Sequence, residues 1–164
     1  MMDDLEALVQ RQAITDVLID YCRHLDRMDL AELAMLFTAD CKVVYGPDPR
    51  LTTESRFALE ASLARMWRWQ RTAHHLSNVK VQFESDRTAS AECAVWAWHE
   101  AADGSDAGVF GIYHDHFVRE PDAWRISERR MEMTGSRGTF CVAIPQAYRA
   151  PPPEGWTPPE GLDG

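Results

Sequence analysis

No stretch of the chain approaches the ~20 consecutive apolar residues that a membrane-spanning helix needs. The opening, Met1-Met2-Asp3-Asp4, is acidic and lacks the basic start of a secretory signal, so a cytoplasmic location is expected. Basic residues are in short supply: 17 Lys and Arg stand against 26 Asp and Glu, giving a formal charge of −9. Binding a phosphate backbone requires clustered Lys and Arg, so neither nucleic acid nor an anionic membrane is an expected partner. There is no glycine-rich phosphate loop and no internal repeat, and no cofactor is expected. Cysteine is sparse and never in CxxC spacing. Cys22, Cys41, Cys93 and Cys141 read as reduced, small core residues, with two disulfides as the arithmetic alternative.

What is present fits one soluble domain of 164 residues, with 45% hydrophobic and 26% charged residues. Asp3 and Glu6 make a capping-box-like start to a helix over 3–25. Its apolar stripe begins at Leu5, Leu8 and Val9 and continues through Ile14, Val17, Leu18, Tyr21, Cys22 and Leu25. A second start signal at Asp29 opens a short helix carrying Leu33, Leu36 and Phe37, and Thr38-Ala39-Asp40 breaks it. A short strand, Cys41 to Tyr45, and a Gly-Pro loop follow. A third helix starting at Thr53 or Ser55 turns Leu59, Leu63, Met66 and Trp67 to one side.

After Arg71 the period changes to two. Val79, Val81 and Phe83 mark one strand. In the next, Ala89, Ala91, Cys93, Val95, Ala97 and His99 share a face. Two further strands run over 109–119 and 124–134. Residues 1–145 form the expected domain, and 146–164 a proline-rich tail. Helices followed by a run of antiparallel strands make an α+β pattern, with helices packed on one face of a curved sheet.

Two stretches carry candidate chemistry. Tyr21-Cys22-Arg23-His24-Leu25-Asp26 puts a carboxylate where the first helical pattern runs out. Burial raises a carboxylate's pKa and a basic partner lowers it again, so such a group needs a partner. Ala73-His74-His75-Leu76-Ser77-Asn78 offers one. His74 and His75 fall on opposite faces of a strand, so only one can meet Asp26. Parity favours His75, which shares its face with Val79, Val81 and Phe83. A β-bulge would reverse that and turn His74 inward. His99, on a face of small residues, reads as a pocket or core histidine. His114 and His116 share the face of Phe110, Ile112 and Val118; a metal reading lacks a third ligand, so no metal is expected. Arg129 reads either as a partner for an anionic substrate or as a surface residue paired with Glu128 or Glu132. Tryptophans 67, 69, 96 and 98 read as core or subunit interface.

Three phrases, YCRHLDRMDLAELAMLFTADCKVVYG, AHHLSNVKVQFESDRTASAECAVW and GIYHDHFVREPDAWRISERR, resemble the SnoaL-like branch of the nuclear transport factor 2-like superfamily over roughly residues 5–135. The resemblance implies a cone-shaped α+β barrel, with three N-terminal helices packed on a curved antiparallel or mixed sheet around one pocket. It also implies homo-oligomers, dimers or trimers, joined through the outer face of the sheet. Within the superfamily, the scytalone dehydratases and hexachlorocyclohexane dehydrochlorinases are similar at Asp26 and His74. The dehydratases also match at Tyr45 and His99, and the dehydrochlorinases at Arg129. Tyr21 resembles a tyrosine of bile-acid dehydratases. Gly111 and Tyr113 stand where scytalone dehydratases have polar substrate contacts, so a different substrate is implied.

Together these imply a cofactor-independent lyase or isomerase in which an Asp26–His74 dyad takes a carbon-bound proton from a small hydrophobic, ring-bearing substrate. Tyr45 and His99 would assist, and Tyr21, Tyr113, Arg129 and His75 would contact the substrate. The alternatives are a non-catalytic binder of hydrophobic ligands and an assembly subunit like those of ring-hydroxylating dioxygenases.

Overall fold

The computed structural model describes residues 3–138 together with Ile144, Pro145, Glu154 and Gly155. The tail expected over 146–164 lies outside the described residues, apart from Glu154 and Gly155.

Helix α1 spans Asp4–Arg27, and the Asp3 carboxylate caps it by accepting from the Glu6 amide at 2.8 Å. Ile14, Leu18, Tyr21, Cys22 and Leu25 are buried, so the core stripe begins later than the sequence pattern predicts. Leu5, Leu8 and Val9 stay more than half exposed. Met28 ends α1 in the left-handed conformation (φ 60°) and donates to the His24 and Leu25 carbonyls.

Helix α2 is short, Leu30–Met35. Phe37 and Thr38-Ala39-Asp40 do not continue or break a helix but open strand β1, Phe37–Val44. The reason is tertiary: the Leu36 carbonyl accepts from Ile126, and Phe37 pairs with Ile126 on the last strand of the sheet. A 3₁₀ turn at Pro49–Leu51 leads to β2, Thr52–Thr53. Helix α3, Arg56–Leu63, is capped by the Ser55 hydroxyl and tightens into a 3₁₀ turn over Ala64–Arg68. That tightening decides which side chains turn inward. At three residues per turn Leu63 leads to Met66 and then toward Trp69, and Trp67 is thrown outward, 67% exposed.

Four long strands follow: β3 Arg71–Phe83, β4 Thr88–Glu100, β5 Asp106–Arg119 and β6 Trp124–Gly138. The sheet order is β2-β1-β6-β5-β4-β3, with β1 parallel to β6 and every other pair antiparallel. This is the expected α+β architecture with a mixed sheet. It is not closed into a barrel by hydrogen bonds, since β2 and β3 remain edges. Helix α1 lies against β3, with the Arg11 guanidinium donating to the Val81 carbonyl at 2.5 Å.

On β4 the predicted face is buried throughout, from Ala89 to His99. It continues across β5 as Phe117, Asp115, Tyr113, Gly111, Val109 and Ala107. Gly111 sits at a bulge where a Cβ would come within 2.6 Å of the Glu132 carbonyl and the Met131 methyl, so a side chain does not fit there. The outer face carries Trp96 and Phe110, 45% and 39% exposed, in a stack with His75.

Cys22, Cys41 and Cys93 are free and buried, and Cys141 lies outside the described residues. No helix among the described residues is long and apolar enough to cross a membrane.

Candidate active site

Asp26 stands in the last turn of α1, where a carboxylate opposes the negative end of the helix dipole. Three hydrogen bonds offset that. Asp26 Oδ2 accepts from the backbone N–H of His74 at 2.9 Å, and Oδ1 meets His74 Nδ1 at 2.6 Å and the Thr72 hydroxyl at 2.8 Å. The geometry follows from the sheet order. β3 is an edge strand, so alternate N–H groups face away from β4, and the carboxylate takes one of them.

The parity question is resolved by a bulge. The β3–β4 register shifts between Ser77 and Lys80, and Asn78 lies in the left-handed region at φ 54°. Thr72, His74 and Leu76 therefore share the inner face with Val81 and Phe83 despite the odd spacing. Asn tolerates that conformation better than most side chains. The His74 side chain is only 4% exposed, and that of Asp26 25%.

Burial alone would raise the Asp26 pKa. The hydrogen bonds and charge of His74, with Thr72, outweigh it and hold Asp26 below the ordinary carboxylate range. An ionised carboxylate only accepts, so Nδ1 of His74 carries the proton and Nε2 keeps its lone pair.

His74 forms part of the wall of a cavity of about 70 Å³, together with Tyr21, Tyr45, His99 and Tyr113. The Tyr21 and Tyr45 hydroxyls are 2.5 Å apart, and burial raises the pKa of all three tyrosines, keeping the phenols protonated. His99 meets His74 edge-on at 5.5 Å and packs against Trp69 at 5.1 Å. Burial, reinforced by His74, holds the His99 pKa down at about 4, so its ring is neutral at pH 7.

This has a consequence for stability. Below about 6.5 the unfolded chain binds a proton at this position, while the folded chain takes it up only near 4. Stability therefore falls as pH drops through that window, by up to about 3 kcal/mol from this group. His99→Gln is expected to flatten urea-melt stability between those pH values; an unchanged profile would count against the assignment.

Two expected substrate contacts are not part of the cavity wall. His75 lies on the outer face, ring-stacked with Trp96 at 5.5 Å, because the inner position belongs to His74. Arg129 is neither exposed nor paired with Glu128 or Glu132. It is 1% exposed, and its Nε and Nη2 donate to Asp115 at 2.7 and 2.8 Å. Its guanidinium lies between the rings of Tyr21 and Tyr113, 4.1 and 4.2 Å from their centroids. The cation thus sits behind the tyrosines, one layer removed from the cavity. Asp115 and Thr72 were missed from sequence. Thr72 carried a usable signal, being two residues from His74 on the same strand face.

The histidines His114 and His116 lie on the outer face, near Glu92 and Glu132 and near Glu84 respectively. They border a larger, strongly charged hollow of about 540 Å³ on the side of the sheet away from the dyad. Arg129 there pairs with Asp115 and Arg130 with Glu132, and no cluster of three metal-ligating side chains occurs among the described residues.

The comparisons agree with this architecture. A candidate scytalone dehydratase from Novosphingobium aromaticivorans superposes with a TM-score of 0.83 at 30% identity, over 88% of this chain and 97% of that one. A hexachlorocyclohexane dehydrochlorinase from Novosphingobium barchaimii gives 0.73 at 20% identity, over 92% and 100%, a likeness of fold. An uncharacterized protein of Mycobacterium tuberculosis is 28% identical over 124 residues, 73% of this chain and 82% of that one. The SnoaL-like domain family matches residues 6–130, and the chain belongs to it.

Proposed function

We propose that the protein is a lyase or isomerase of the SnoaL-like family that removes a proton from carbon next to a carbonyl, with elimination of water as the favoured outcome. The observation that carries this is the 2.6 Å contact between Asp26 and His74, in the wall of a cavity that also holds a hydrogen-bonded pair of phenols.

Asp26 fixes the His74 tautomer and stabilises the imidazolium. His74 Nε2 takes the carbon-bound proton. The electron pair moves onto the carbonyl oxygen, where Tyr45, supported by Tyr21, donates a hydrogen bond to the developing enolate. The enolate then collapses to a carbon–carbon double bond and the C–O bond breaks. The imidazolium returns its proton to the leaving oxygen, so water departs and the base is regenerated. Neutral His99 is suited to donating a hydrogen bond rather than a full proton. Every step uses side chains of this chain, and with a β,γ-unsaturated ketone the dienolate formed by the same base would take the proton back at the γ-carbon, giving isomerisation instead.

The test needs no natural substrate. In D2O, cyclic ketones and β-hydroxyketones that fit the cavity should exchange their α-protons faster with protein than without, followed by NMR. Absence of enhanced exchange across such a set, with binding retained, would leave a ligand-binding protein. The apolar Trp96 and Phe110 exposed on the sheet's outer face support a homo-oligomer, which sedimentation velocity decides.

A further inference from the structure

Among the described residues the cavity wall contains no Asp or Glu, yet it includes Arg65 and Arg68, both from the 3₁₀ turn that follows α3. This is unexpected in a chain with an excess of acidic residues. Elsewhere arginines find carboxylates: Arg50 with Asp48, Arg71 with Glu100, Arg125 with Glu120, Arg129 with Asp115. Arg65 has no such partner among the described residues. Its Nη1 instead donates to the carbonyl and the hydroxyl of Ser62, both at 2.6 Å, which holds the guanidinium in one place. Nε and Nη2 make no hydrogen bond among the described residues.

Both cations stand beside the reacting groups. The Arg65 guanidinium lies 5.7 Å from the ring centroid of Tyr45, and that of Arg68 lies 5.2 Å from that of Trp69, which packs on His99. Arg65 is half-buried and Arg68 exposed, so the pair marks the mouth of the cavity, while Leu25, Leu63 and Val109 supply apolar wall.

We infer that the substrate is an anion: a ring-bearing molecule with a carboxylate or phosphate group that rests on Arg65, with Arg68 adding positive charge beside it, while its ring enters toward His74 and Tyr45. A guanidinium fixed at the rim meets an oxyanion with two parallel N–H groups, and the anion there keeps part of its hydration. Such an anchor fixes which carbon of the ring faces the base. The inference takes the location of the chemistry from the proposed function, but it can fail separately.

The test is isothermal titration of the full chain with benzoate, phenyl phosphate and the neutral isostere benzamide, on wild type and on R65Q, R68Q and R65Q/R68Q. The anions are expected to bind at least about tenfold more tightly than benzamide, the range for a hydrogen bond to a charged group. R65Q/R68Q should lose that preference and bind benzamide as before. R65K, which keeps the charge without the fork, should retain part of it, and thermal melts confirm that each variant is folded. A larger gain for benzoate identifies a carboxylate and a larger gain for phenyl phosphate a phosphate group. Equal binding of anions and benzamide, a preference that survives R65Q/R68Q, or no binding of either anion at millimolar concentration overturns the inference. The two readings separate in wild type: anion preference kept while α-proton exchange is absent would remove the catalytic reading alone.

Discussion

His74→Ala is expected to lower the rate of α-proton exchange or turnover by about 10²–10⁴-fold, the usual contribution of a positioned general base. The folded state should survive, because the truncated side chain enlarges a cavity that already exists there, and the residue's backbone N–H still reaches Asp26. Asp26→Asn is the sharper experiment. The carboxylate accepts from Thr72, from the His74 backbone and from Nδ1, whereas an amide must turn its NH2 toward at least one of these donors. If the amide oxygen keeps the backbone bond, its NH2 faces Nδ1 and forces the proton onto Nε2, the nitrogen needed as base. In serine protease triads the equivalent exchange costs about 10⁴ in kcat with the geometry intact. Retention of full exchange activity in both variants would remove the dyad from the mechanism, whatever its geometry.

Arg129→Met should cost about 3–5 kcal/mol of folding stability, read from urea melts at pH 7. The guanidinium and the Asp115 carboxylate both have side chains at 0% exposure, so losing one partner leaves the other charge buried and unpaired. Burial works against the charge on Arg129, and Asp115 outweighs it, which keeps the guanidinium charged. The loss also removes the cation held between Tyr21 and Tyr113, the two rings that back the cavity. Catalysis is therefore expected to weaken in variants that still fold. The double variant R129M/D115L removes both charges and should be less destabilised than R129M alone, since a well-packed apolar pair escapes the desolvation penalty. A loss below about 1 kcal/mol in R129M would mean that water reaches Asp115.

The chain by itself determined the elements whose burial follows a short period: the stripe of α1 from Ile14 onward and the alternating faces of β4 and β5. It also marked both halves of the dyad, because a carboxylate at a helix C-terminus and a paired histidine motif each stand out against local rules. Periodicity is set by backbone geometry within a few residues, which is why it can be read from a string of letters. Strand β1 began earlier than the pattern implies because Phe37 answers to Ile126, nearly ninety residues on. Trp67 turned outward because the helix tightened, a change of pitch that composition does not encode.

The tertiary structure alone decided which histidine faces inward and what Arg129 does. The first depends on a bulge at Asn78, whose extra residue is defined only against the register of β4. The second depends on β5 and β6 pairing Asp115 directly with Arg129, which hides both charges from water beneath two tyrosines. Neither outcome is visible along a single strand, because a side chain's surroundings are set by the strand beside it and not by the residues before and after it.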